Sequence, residues 1–176
     1  PSIKIEGDLW PQKVQNVSRL LNSYPKKIDL SIYLPEVGDQ GKGLCCSAFA
    51  SIWVMKSIAD NSENGYSNTT ADFFLNKENY IYTPIFNYGL ATKYSKTDCG
   101  QGVSLKDCFL SLITYGAIKL SDWKTQNIDN PCICNPRLIA EFEKKAAINK
   151  ISNFIILNSI SNEDLIKQLV RGYSIG

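Results

Sequence analysis

The sequence predicts an α+β fold in which helices come first and strands follow. Three observations carry this. From Cys46 to Ala59 the apolar residues recur at helical spacing, with Phe49, Ile52, Trp53 and Ile58 on one side. From Ser104 to Gly116 a second helix reads directly from an N-cap serine, the apolar set Leu105, Phe109, Leu112 and Ile113, and a closing glycine. Only after these does a strand read, Ile151 to Leu157, so helix-rich and strand-bearing parts are segregated along the chain.

The elements follow in order. Residues 1–27 are mainly polar, with one amphipathic patch in which Val14, Val17, Leu20 and Leu21 recur at helical spacing and which Ser23-Tyr24-Pro25 ends. Ile28 to Leu34 alternates apolar and polar and predicts a short extended segment stopped by Pro35. Gly38, Gly41 and Gly43 mark a loop ahead of the Cys46 helix, and Asn61 to Thr70 a polar surface loop after it. Ala71 to Lys93 reads as mainly helical, with Pro84 as a start or a break and Phe73, Phe74, Tyr80, Tyr82, Ile85, Phe86 and Leu90 offered to the core. Asp98-Cys99-Gly100-Gln101-Gly102 is a second glycine loop. Asn127 to Arg137 is loop, Leu138 to Ala147 a short helix, and Asn162 to Val170 another, with Glu163 and Asp164 in its first turn and Gly172 as its cap.

Composition narrows the chemistry. The 176 residues are 44% hydrophobic and 20% charged, enough apolar content for a buried core. The net charge of +2 is spread along the chain, which gives no basic surface for nucleic acid. No apolar run reaches the roughly 20 residues of a membrane span, and Pro1 to Glu6 has no apolar signal core. Six cysteines and no histidine matter most. The chain holds no imidazole of its own to act as base or metal ligand, and six cysteines leave the redox compartment open.

The chemistry-bearing stretch is Asp39-Gln40-Gly41-Lys42-Gly43-Leu44-Cys45-Cys46-Ser47-Ala48-Phe49-Ala50. A thiol acts as a nucleophile when ionised, and a helix N-terminus favours that form through its free N–H groups and dipole. Cys46 stands where a glycine loop turns into an apolar-faced helix. Acyl transfer also requires donors for a developing oxyanion. Gln40 on the loop offers a side-chain amide and Cys46 its own backbone N–H, while Ser47 and Ala48 are small enough for a peptide to approach. Cys45 reads as a neutral neighbour or a disulfide partner. Cys132-Ile133-Cys134 with Cys99 and Cys108 matches zinc spacing poorly and reads as disulfides or free thiols, with no metal or other cofactor expected.

Val37-Gly38-Asp39-Gln40-Gly41 followed by Cys46-Ser47-Ala48-Phe49-Ala50 resembles the nucleophile signature of the papain family of cysteine peptidases. The resemblance implies a papain-like fold, with residues 28–130 as the helical lobe, 131–176 as the first elements of the β-rich lobe and 1–27 as an extension or pro-segment remnant. It implies peptide-bond hydrolysis through a thioester, with Cys46 as nucleophile, Gln40 as oxyanion donor, Gly100, Gln101 and Gly102 as contacts to the substrate backbone, and Leu105 facing the pocket for the second residue before the cleaved bond. It also favours a secreted or extracytoplasmic setting. Tyr115-Gly116-Ala117-Ile118 resembles the family's helix end, and residues 163–176 its approach to the second lobe.

The departures are specific. Leu44-Cys45 stands where the family has Gly-Ser, and Ser47 where it has Trp or Thr. Gly43 replaces the cysteine that in many members bridges to the glycine loop, so Cys99 lacks that partner. The family's histidine and asparagine follow the nucleophile by roughly 130–150 residues. They are therefore expected on a C-terminal portion of the same protein or on another chain, which becomes a partner beside a peptide or protein substrate. The alternatives are a papain-like binding module that no longer hydrolyses, and a thiol-rich structural or metal-binding domain.

Overall fold

A computed structural model describes residues 29–98, 100–124, 136–152, 154 and 161. Over these residues the chain is mainly helical. Cys46–Ala48 (α1) runs without interruption into a π-helical stretch, Phe49–Lys56, and then into α2, Ser57–Asn64. The long helix therefore reaches five residues beyond the Ala59 end expected from periodicity, into the stretch read as loop. Gly65 stops it in the left-handed conformation at φ 70°, its N–H returning to the carbonyls of Asn61 and Ser62.

Ala71 to Lys93 divides at Pro84 as its sequence suggests. Thr70 caps α3 (Ala71–Leu75) by accepting from the Phe73 N–H, and a 3₁₀ turn follows at Lys77–Asn79. Thr83 then caps α4 (Pro84–Ser95), with the proline in the first turn, where its missing N–H costs nothing. Ser104 accepts from the Asp107 N–H to cap α5 (Leu105–Thr114). Two more helices follow, α6 (Leu120–Lys124) and α7 (Pro136–Ala146), the latter extended by a 3₁₀ turn at Ala147–Asn149.

The centre of the structure is α4. Pro84 and every residue from Phe86 to Thr92 are buried, the signature of a helix surrounded by others on all sides. Tyr88 and Ala91 pack with Cys45, Ala48, Val103 and Cys108, joining the start of the long helix to the second glycine loop and α5. Phe86 and Leu90 face the other way, against Ile118, Trp123, Phe142 and Ala146. A third cluster, Ile52, Tyr82, Leu112 and Ala117, fills the space between the long helix and α5.

Three expectations are corrected. The segment read as extended, Ile28 to Leu34, forms a 3₁₀ turn at Ser31–Tyr33 over its described part. The Asp29 carboxylate accepts the Ser31 N–H at 3.0 Å and starts the turn, while Asn68 binds the carbonyls of Ser31, Ile32 and Leu34, so these groups are satisfied without a partner strand. Phe74, assigned to the core, is 68% exposed, because in the short α3 it faces away from the buried Phe73. Trp53 is only partly buried: it stacks on Phe49 and donates its indole N–H to the Glu36 carbonyl at 2.8 Å.

Among the described residues there is no strand, only an isolated antiparallel bridge between Tyr82 and Lys119. Most of the expected strand at Ile151 to Leu157, the N-terminal amphipathic patch, the Asn162 helix, Cys99 and the Cys132–Cys134 pair lie outside the described residues. No helix among the described residues is long and apolar enough to cross a membrane.

Candidate active site

The loop before the long helix is built to lie against it. Trp53 and Phe49 form a stacked pair with ring centroids 5.7 Å apart, and the chain crosses them at Gly38. A Cβ at that position would stand 2.8 Å from the Trp53 ring and 2.9 Å from Phe49, so only glycine permits the crossing. Beyond it the loop closes on itself. Gly41, at φ 58°, donates its N–H to the Asp39 carboxylate at 2.7 Å. The Gly43 N–H donates to the Gln40 carbonyl at 3.2 Å, and the Gln40 side-chain amide donates to the Gly43 carbonyl at 3.0 Å.

Cys46 is the first residue of α1, and its thiol is free and exposed. The residue ahead of it, at the N-cap, is Cys45, which is disulfide-bonded and wholly buried. A half-cystine has no oxygen to offer the helix, and no side chain caps this end. The N–H groups of the first turn, which have no acceptor within a helix, are thus left without the usual serine or aspartate oxygen. No acidic residue sits in that turn to compete for them. The disulfide also separates the roles of the adjacent cysteines: Cys45 anchors the backbone and Cys46 presents its sulfur to solvent.

Cys108, the other free thiol among the described residues, lies buried in the cluster beneath the start of the long helix. Burial pushes its pKa up to about 11, with the charges of Asp107 and Cys46 acting in the same sense and a hydrogen bond with Ser51 opposing them. Of the free thiols described, Cys46 is therefore the accessible one, and Cys108 is held protonated at neutral pH.

The second glycine loop is brought to the same end of the molecule through the Tyr88–Val103–Ala48 packing. Gly100 adopts φ 92°, and Tyr88 pins the loop from below: its hydroxyl donates to the Gln101 carbonyl at 2.6 Å and accepts from the Gly100 N–H at 3.0 Å. Gly100, Gln101 and Gly102 are all exposed, with nothing within 4 Å of where a Cβ would stand on either glycine, so their outer face is open to an approaching chain. Leu105, the first residue of α5, is 39% exposed.

Of the residues named from the sequence, Cys46 stands at an exposed, uncapped helix start, and the Gly100–Gly102 loop is tied to the cluster beneath it through Tyr88 and Val103. Gln40 is half-buried on the adjoining loop, and one of its two amide hydrogens is engaged by Gly43. Tyr88 escaped sequence reading: a tyrosine in a buried helix has no signature linking it to a loop 13 residues on. Cys45, read from the sequence as a neutral neighbour or a disulfide partner, is disulfide-bonded. Among the described residues no group of His, Cys, Asp and Glu is arranged to hold a metal ion. No protein-family model, no curated protein and no solved structure matches the chain.

Proposed function

We propose that this chain supplies the nucleophile of a cysteine peptidase of papain-like type, with Cys46 as the attacking sulfur. The observation that carries the proposal is the pairing of two adjacent cysteines with opposite fates, Cys45 buried in a disulfide and Cys46 free and exposed at an uncapped helix start. The open glycine loop pinned by Tyr88 gives an extended peptide backbone a place to lie beside it.

In this reading the Cys46 sulfur adds to the scissile carbonyl. The resulting oxyanion takes the Cys46 N–H and the remaining Gln40 amide hydrogen. Collapse expels the amine with a proton from an imidazole, and water then releases the acid from the thioester. The imidazole must come from outside these 176 residues, which contain no histidine. The natural donor is a further portion of the same protein or a partner chain, as the family resemblance implies. Peptide or protein is the substrate, and no cofactor takes part.

Treatment of the folded chain with a leucyl epoxysuccinyl inhibitor tests this. One adduct per chain is expected, on Cys46, lost in Cys46→Ser and absent from Cys108. Attachment spread over several cysteines, or none at Cys46, would sink the proposal. A second reading is a papain-like binding module without turnover. It draws on the missing histidine and on the Gln40–Gly43 hydrogen bond, which ties up part of the oxyanion donor. Such a module would bind peptide without forming a covalent acyl intermediate.

A further inference from the structure

Away from Cys46, on the face formed by the long helix and the Tyr82–Lys119 bridge, two ammonium groups compete for one carboxylate. Lys56 pairs with Oδ1 of Asp60, and the Tyr82 hydroxyl donates to Oδ2. Lys119 reaches that second oxygen only at 3.6 Å. Both lysines also lie over the Tyr82 ring, Lys119 at 3.8 Å from the centroid and Lys56 at 4.8 Å. The ring is itself fixed, its hydroxyl bonded to Asp60 and lying 3.1 Å from the Asn149 side-chain oxygen. Asn149 in turn donates to the Ala117 carbonyl at 3.0 Å.

Among the described residues the cluster thus holds two cations and one anion, and the claims on Asp60 are unequal. Lys56, with 6% of its side chain exposed, has the close contact. Lys119 is the surplus cation, yet 22% of its side chain remains open to solvent. Backbone bonds on both sides keep it there, from the Thr83 N–H to the Ile118 carbonyl at 2.9 Å and from the Leu120 N–H to the Ile81 carbonyl at 2.8 Å.

We propose that Lys119 is an acylation site, a lysine poised to accept a short acyl group from an activated thioester. The neutral amine attacks the thioester carbonyl, an N–C bond forms and the C–S bond breaks. The departing sulfur leaves as a thiol carrying the proton that the amine loses. The product is an amide at Lys119, and the cluster relaxes to a single Lys56–Asp60 ion pair with no surplus charge. Burial supports this by lowering the Lys119 pKa to about 8; Lys56 adds to the effect and the attraction of Asp60 opposes it. A substantial fraction of the amine is then neutral near physiological pH, where an ordinary lysine, at about 10.4, is almost wholly charged. The site is independent of Cys46 and stands whether or not the peptidase reading does.

The test is site-resolved acetylation of the intact chain with S-acetyl-N-acetylcysteamine at about pH 7.5, followed by hydroxylamine to strip any acetyl from cysteine and by peptide mapping. The exposed Lys42, Lys93 and Lys106 serve as references. In the folded chain Lys119 is expected to acetylate about tenfold faster than these, as partial cover offsets part of the gain in neutral amine. In the urea-unfolded chain that advantage disappears. Lys119→Arg removes the fast site and leaves the reference rates unchanged. A rate at Lys119 no greater than the references in the folded chain, or an advantage that survives unfolding, overturns the proposal.

Discussion

Gly116→Ala is expected to remove a large share of the stability of the helical part of this protein. Gly116 closes α5 at φ 88°, with its N–H on the Leu112 carbonyl, a backbone conformation that costs a residue with a Cβ on the order of 1 kcal/mol or more. The larger penalty is steric. A Cβ there would stand 1.9 Å from the Ala146 carbonyl oxygen and 2.7 Å from its carbon, both backbone atoms that cannot rotate away. Relief requires the end of α7 to move off, and with it Phe142 and Ala146, which pack on Trp123 and Leu90. Displacement would also strain the buried bond from the Asn87 amide to the Gly116 carbonyl at 2.9 Å, part of a chain through Ser111 to the Cys108 carbonyl. Overpacking of this kind commonly costs about 1–3 kcal/mol beyond the backbone strain. The total, about 2–4 kcal/mol, is a large share of the roughly 5–15 kcal/mol that holds a domain folded. Urea titration followed by circular dichroism reads this as a large fall in midpoint. An unchanged midpoint would mean that α5 and α7 do not meet at Gly116.

Asp60→Ala is the second large effect. The substitution strips the anion from two lysines and the acceptor from the Tyr82 hydroxyl in one step. Lys56 is then a nearly buried cation without a counter-charge, the situation in which breaking an ion pair costs about 3–5 kcal/mol. The pH dependence carries the same information. Burial on its own would raise the Asp60 pKa, but hydrogen bonds from Lys56 and Tyr82 and the charges of Lys56 and Lys119 outweigh it and hold the group below the ordinary carboxylate value. A carboxylate depressed in the folded state contributes stability that is full above its unfolded pKa, about 3.9, and is lost as pH falls through the lower folded value. Lys119 behaves oppositely at the other end. Its folded pKa of about 8 lies below that of an unfolded lysine, so its charge weakens the fold at neutral pH and the penalty fades as pH rises from about 8 to about 10.4. Thermal melts of the native chain should therefore show a loss below about pH 4 that is missing in Asp60→Ala, which starts from a lower melting temperature throughout. Equal acid sensitivity in the two proteins would contradict this assignment.

What could be read from the sequence was what local chemistry specifies. Ser104 and Pro84 marked helix starts correctly because a cap oxygen or a proline acts within one turn of itself. Gly116 marked the end of α5 for the same reason. The Ile28–Leu34 alternation misled because period two is necessary for a strand and not sufficient. Asp29 redirects the chain into a turn, and Asn68, whose contacts lie up to 37 residues away, takes up the carbonyls a neighbouring strand would have used. The extra turns of the long helix were missed because Asn61, Ser62 and Asn64 are weak helix formers. Burial of Ile58 and Asn61, with the Asn61 amide on the Tyr33 carbonyl, overrides that weakness.

The site divides along the same line. Cys46 and its glycine loop occupy twelve consecutive residues, so the resemblance that the proposal builds on needs no fold to be noticed. The sequence left two readings of Cys45 open and gave none for the part of Tyr88, since each depends on a contact made in three dimensions. Nor could the Lys119 cluster, where Tyr82 meets Asp60 across 22 residues and Asn149 across 67. Distances of that order leave no periodic trace, and only packing brings the groups together.

The decisive measurement is acyl transfer to Cys46. The folded chain is exposed briefly to the p-nitrophenyl ester of a blocked amino acid, and the product is mapped by mass spectrometry before and after hydroxylamine. The expected result is a single hydroxylamine-labile acyl group on Cys46, formed at least about tenfold faster than on the same residue in the unfolded chain, as a preorganised oxyanion site requires. Acylation of Cys46 no faster in the folded than in the unfolded chain would contradict its role as the nucleophile of a peptidase.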